Sequence, residues 1–419
     1  MRENKKAKIS DSLIFAGLLL AVSAVMLWLF YRQCTGSEAL YHSDMKAYIL
    51  EMQGLESGYS FPYPVLFKLS ALFHLVVSPE LAVALATMVL NALSMIFTKW
   101  IFNRMVQPKN LMAGVLVSVA TIALFYLSML FPPAGIYLPG IKFRYLGVFT
   151  PNPFHNATYL AARPFAILAF AWFVKLMGQY EKGWSKETWK DYAGFGLTLL
   201  IATMTKPSFT LVMVSTAALL LLYRLIAKGF MIIVPTLQLG VCFVPTLIDL
   251  LYQFKGVFVP EEGAEGGVGF CFGEVWAQYS GNILLSVALA VGFPILVLLL
   301  NRKECKKNSL LLFSWQLYLV AFLEAFFMYE KGFRKFDFNF SWGYMYGIFF
   351  VHFAALAVLL QKTLGWWRRP AAETDDGQIP PVGTTGQVVL LCLQWLAFVA
   401  HLICGLVYFK SIFMGAMYY

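Results

Sequence analysis

Apolar residues run along this chain in long blocks separated by short polar stretches. A block of about 20 apolar residues matches the length of a helix that crosses a bilayer. Scanning for such blocks predicts about eleven spans. They fall near 12–31, 79–102, 111–131, 159–178, 192–205, 207–224, 230–253, 282–300, 309–329, 341–361 and 388–410. The stretch 64–78 is shorter and bounded by prolines, so it reads as a helix at the membrane surface. From Asp44 to Glu56, Met45, Tyr48, Ile49, Met52 and Leu55 recur at three- and four-residue steps. That spacing predicts a second amphipathic surface helix, with Asp44 at its start. The fold class is therefore all-α: a polytopic transmembrane helix bundle with surface helices in its first outer loop. The fifth span is short and ends at Lys206-Pro207, because proline removes a helical donor and clashes with the preceding turn.

Composition agrees with that class. The chain is 60% hydrophobic and only 13% charged, where a soluble domain carries about a quarter charged residues. This leaves no room for a large soluble domain. Lysine and arginine concentrate in cytoplasmic loops. Placing the N-terminus in the cytoplasm puts most of the 32 basic residues on that side and gives an N-in, C-out topology. The first apolar run is too long for a signal-peptide core and no small-residue cleavage site follows it, so it reads as an uncleaved span. The chain then divides into a bundle over 1–365, a flexible cytoplasmic linker over 366–387, and a last span with its tail over 388–419. The expected location is the bacterial plasma membrane, with the active side outward.

The outer loops, 32–62, 132–158, 255–281 and 330–340, hold the polar residues that differ from simple loop charge. Asp44 stands at the mouth of the bundle, where a carboxylate can act as a general base toward a hydroxyl. Its structural reading is an N-cap for the helix that follows. Outer cations run against the usual charge bias and ask for an explanation. Lys142 and Arg144 precede the fourth span, Arg163 lies just within it, Lys206 sits at the helix break, and Arg334 with Lys335 precede the tenth. Cations at such depth commonly pair with a buried partner or mark a ligand path, and a lipid phosphate suits them. The alternative is snorkelling toward the interface. His155 and Asn156 open the fourth span, with Tyr159 and Arg163 one turn apart on one face. His155 could hydrogen-bond a phosphate or simply rest at the interface. Asn156-Ala157-Thr158 also fits a glycosylation pattern.

Other chemistry is poorly represented. The six cysteines form no CxxC pair, and Cys34 with Cys271 could pair only if both lie outside. No tight set of metal ligands is apparent, and the acids at 261, 262, 265 and 274 do not match an EF-hand loop. No phosphate-binding glycine loop is present, so no ATP site and no cofactor is expected. Nothing points to nucleic acid. Glu324 is an intramembrane acid that could pair with Arg163, Lys206 or Arg334, or bind a proton.

One short cytoplasmic segment, one span and an outer loop bearing Asp44 open the chain. A surface helix and the stretch Phe61-Pro62-Tyr63-Pro64-Val65-Leu66 follow, then a span beginning Ser78-Pro79-Glu80-Leu81-Ala82, and later the break Thr205-Lys206-Pro207-Ser208-Phe209. This layout resembles the GT-C superfamily of glycosyltransferases that use lipid-phosphosugars, over roughly residues 10–345. The resemblance implies a sugar donor carried on a polyprenyl phosphate within the membrane lipid, and an acceptor arriving from the outer face. It implies Asp44 as base, with His155, Arg163, Lys206, Arg334 and Lys335 toward the phosphate. Here Met45 follows Asp44, where that family often carries a second acid. A multi-span transporter, or a flippase or polymerase of lipid-linked saccharides, is the alternative. The transporter or flippase would draw on Glu324, Asp249 and the prolines at 207, 235, 245 and 294, and the polymerase on the outer arginines.

Overall fold

The computed structural model describes residues 2–37, 39–131, 146–258, 266–332, 334–367 and 385–415. Lys142, Arg144, the acids at 261, 262 and 265, and most of the 366–387 linker lie outside these residues. In chain order the helices are α1 (Arg2–Thr35), α2 (Met45–Gln53), α3 (Val65–His74), α4 (Pro79–Val106), α5 (Leu111–Leu124) and α6 (Ala157–Met177). Then come α7 (Trp189–Thr205), α8 (Ser208–Ala227), α9 (Ile233–Val241), α10 (Val244–Phe258), α11 (Glu274–Ala277) and α12 (Ile283–Ala290). The last are α13 (Gly292–Leu300), α14 (Arg302–Cys305), α15 (Ser309–Phe327), α16 (Ser341–Trp367) and α17 (Thr385–Phe413). Strands β1 (Val268–Phe270) and β2 (Met328–Glu330) pair antiparallel, with Gly269 opposite Tyr329.

Each of the eleven predicted stretches is helical over most of its length, but they are not alike. Among the described residues seven helices are long and apolar enough to cross a membrane, or up to nine if two bent pairs each count as one span. The bent pairs are α9 with α10, turned by 51°, and α12 with α13, turned by 69°. At 14 residues α5 falls short of a full crossing, and α7 at 17 stands at the lower limit. The two shorter stretches are helical, as α2 and α3.

Local sequence explains where the helices begin. Ser78, Asn110, Asn156, Asn282 and Asn308 each accept the backbone N–H three residues on, which satisfies an orphan donor of the first turn. The α7–α8 break falls where expected: Lys206 is extended and Pro207 precedes the first residue of α8.

The bundle is organised around α16. Its most apolar window is wholly buried. Phe350 stacks on Phe170 of α6, Phe353 meets Phe102 of α4, Phe349 meets Phe125 beside α5, and Tyr344 meets Tyr318 of α15. Lys99 of α4 bonds Asp11 of α1 at 3.1 Å inside the bundle. Ser118 donates to the same carboxylate oxygen, so one ion pair joins α1, α4 and α5. Cys34 and Cys271 are both free thiols.

Candidate functional site

Asp44 precedes α2 but does not cap it, since its side chain accepts no hydrogen bond from that helix's N–H groups. Its Oδ2 instead accepts from Asn156 Nδ2 at 2.6 Å and from the Tyr48 hydroxyl at 3.1 Å. The surface helix brings Tyr48 to this point because positions i and i+4 share a face. Asp44 therefore sits clamped over the bundle while its outer edge stays exposed.

Asn156 is the hub. Its Oδ1 caps α6 by accepting Tyr159 N–H at 2.9 Å. The same oxygen accepts from Thr158 Oγ1 at 2.9 Å and from Lys206 Nζ at 3.2 Å. These donors fix the amide's orientation, because only the carbonyl side can face an ammonium and only the NH2 side can face a carboxylate. One side chain thus joins Asp44 to Lys206 across the N-terminus of α6. Thr158 accepts a second bond from Lys206 at 3.0 Å and lies 3.2 Å from the Tyr48 hydroxyl. Burial of Asn156, 2% exposed, removes the glycosylation reading.

Electrostatics separates the members of this cluster. Lys206 lies 4.6 Å above the Trp342 ring. Burial lowers it from the usual lysine value to about 8, with the Asp44 charge opposing that shift and Arg334 adding to it. His155 faces the same Trp342 ring at 5.6 Å. Burial pushes His155 down to about 3, helped by His42 and Lys206, so its ring is neutral at pH 7. Burial raises the phenols of Tyr48 and Tyr63, and the neighbouring Asp44 charge raises them further. Both stay protonated, which keeps Tyr48 a donor to Asp44. A cavity of about 320 Å³ opens beside Tyr63, lined also by Glu51, Phe61, Phe67, Lys68 and Tyr252.

The other predicted residues are placed differently. Arg334 is close enough to bear on Lys206 and Tyr63, yet it pairs with Glu330 at 3.4 Å and Asp337 at 3.2 Å. Lys335 pairs with Glu274 at 2.8 Å on the rim. Arg163 is fully buried one turn below Tyr159. It donates to Asn152 Oδ1 at 2.6 Å and to Asn91 Oδ1, and its guanidinium lies over Phe125 at 4.6 Å and Phe349 at 5.3 Å. Glu324 meets Ser215 of α8 and forms no ion pair among the described residues with Arg163, Lys206 or Arg334. No cluster of three or more His, Cys, Asp or Glu side chains with metal-binding geometry occurs among the described residues.

Sequence reasoning thus named Asp44, His155 and Lys206, which converge, and passed over Asn156, Tyr48, Thr158 and Trp342 as site residues. Tyr48 was visible in principle through its four-residue spacing from Asp44. Trp342 carried no local signal, since it comes from α16. No protein-family model matches the sequence, and no curated protein matches it.

Proposed function

We propose that this chain is a membrane glycosyltransferase that moves a sugar from a polyprenyl-phosphate carrier to an acceptor hydroxyl on the outer face. The observation that carries the reading is the Asn156 bridge, which puts a carboxylate and a buried ammonium on either side of one helix N-terminus. A helix N-terminus favours an anion through its unpaired N–H groups and dipole. Lys206 adds a full positive charge there, suited to a phosphate oxygen.

In this reading Asp44 takes the acceptor's hydroxyl proton as the acceptor oxygen bonds the anomeric carbon. The bond from that carbon to the phosphate oxygen breaks, and its electron pair leaves on the polyprenyl phosphate. Lys206 stabilises the charge that develops on the phosphate. One carboxylate suffices, because a phosphate leaves without a general acid. His155, neutral at working pH, contributes a hydrogen bond and no charge. Arg334 offers a second cation if the phosphate draws it from Glu330 and Asp337. Arg163 has its two terminal nitrogens turned to Asn91 and Asn152, so we assign it to holding α6 in place.

The test is transfer from a panel of polyprenyl-phosphate-linked sugars in reconstituted vesicles. Asp44→Asn abolishes product while polyprenyl phosphate still binds; normal product from that variant ends the assignment of Asp44 as base. A transport reading would centre on Glu324, which lies within α15 against Ser215. Loss of lipid-linked saccharide movement in Glu324→Gln, with Asp44→Asn unaffected, would favour transport.

A further inference from the structure

The end of the bundle away from Asp44 holds a cavity of about 800 Å³. It lies between α4, α6, α16 and the start of α15, and Lys175 marks its level on α6. Lys175 lies 19 residues along from the Asn156 cap of α6, or about 28 Å at 1.5 Å per residue. The cavity is therefore distinct from the candidate site. Its walls are apolar, with Ile101, Met105, Leu168, Ala171, Val174 and Leu310 among them.

Its rim is cationic. Arg104, Lys175 and Lys307 line it, with no aspartate or glutamate among the described lining residues, and Lys175 pairs with Asp191 at 2.8 Å. Two of the cations are held at the rim by rings: Arg104 lies 4.0 Å over Trp100 and Lys175 lies 5.3 Å over Trp172. Tryptophan at a bundle's end marks the headgroup level of a bilayer, and Trp100 is 42% exposed there. Free phosphate would have no use for the apolar walls. A zwitterionic headgroup would bring its own cation against Arg104 and Lys307.

We infer that this cavity binds one anionic phospholipid, with an acyl chain along the apolar wall and the phosphate at Arg104, Lys175 and Lys307. Basic pockets between helices at a membrane face recognise acidic lipid headgroups by the same charge complementarity. Lys175 also pairs with Asp191 at 2.8 Å, so its removal would leave that acid unpaired. The informative substitutions are therefore at the other two cations.

The experiment reconstitutes the full chain in equal parts phosphatidylglycerol and phosphatidylcholine, then reads retained lipid by native mass spectrometry. The wild type keeps one phosphatidylglycerol in preference to phosphatidylcholine. Arg104→Gln with Lys307→Gln lowers that retention by roughly fivefold for each cation removed. Ala171→Phe keeps every charge but fills the wall, and it also expels the lipid. Lys186→Gln with Lys190→Gln removes two charges from the loop before α7 and its first turn, outside the cavity, and leaves retention unchanged. Melting temperature in phosphatidylcholine alone confirms that each variant is folded. Equal retention of both lipids by the wild type would overturn the inference. So would retention by Ala171→Phe, or an equal loss in the loop control, which would reduce the effect to general surface charge.

Discussion

Lys206 gives a pH test of the proposed phosphate site. Its value of about 8 makes the ammonium form outnumber the amine tenfold at pH 7, and the reverse holds at pH 9. If phosphate binding needs the ammonium, the competent fraction falls about tenfold across those two units, and the apparent Kd rises by the same factor. Little else at the site titrates in that window. His155 is neutral well below it, and Tyr48 and Tyr63 are pushed above the usual phenol range. A phosphate monoester has its second pKa near about 6, so the ligand stays dianionic throughout. The assay is binding of polyprenyl phosphate to the purified protein in neutral-lipid nanodiscs, from pH 7 to 9. Lys206→Arg should flatten the profile, because a guanidinium stays charged. An unchanged wild-type Kd between pH 7 and 9, or an equal rise in Lys206→Arg, would refute the placement of the phosphate at Lys206.

The same lysine makes a stability prediction of known sign. Its folded value is depressed, so the unfolded chain binds more protons between about 8 and the ordinary lysine value, and stability rises with pH across that window. Near pH 7 the burial cost is fully felt, so Lys206→Met should stabilise the protein by on the order of 3 kcal/mol, read as a higher Tm, while losing phosphate binding. A lower Tm at pH 7 would contradict this. Asn156→Ser separates cap from bridge: serine still caps α6, but Asp44 loses its 2.6 Å donor. Transfer should fall by roughly 10- to 100-fold with little change in melting temperature; full activity would show that the bridge is dispensable. Gly405→Ala should lower the Tm sharply, because a Cβ there would meet the Tyr126 carbonyl oxygen at 1.6 Å. Overpacking of this kind costs about 1–3 kcal/mol or more, and an unchanged melting curve would mean that α17 does not pack so closely on that backbone.

What could be seen in the sequence was whatever is encoded locally. Apolar runs marked the long helices but not the short α11 and α14, proline marked the α7–α8 break, and the three- and four-residue spacing marked α2. Helix bending was less visible, because the turns between α9 and α10 and between α12 and α13 fall inside continuous apolar runs. The site was legible only in part, since its members come from positions 44, 48, 155, 156, 158, 206 and 342. A lone asparagine at a helix start looks like a cap, and Asn156 is one; its second task depends on residues more than a hundred positions earlier and 50 later. Arg163 shows the opposite case. A cation inside an apolar run suggests a ligand, yet Asn91 and Asn152, distant in sequence or hidden in a loop, take its two terminal nitrogens and leave only Nε without a partner.

The burial of α16 bears on how the molecule is made. Its neighbours α4, α6 and α15 all emerge from the ribosome earlier, yet each presents aromatic rings to a helix that begins only at Ser341. Until that segment enters the bilayer, lipid must occupy the central slot or the earlier helices must close over it. Final assembly is therefore a late event, in which displacement of lipid by one helix locks the others together. A nascent chain arrested before residue 341 would be a set of inserted helices without a centre, and a natural target for membrane quality control.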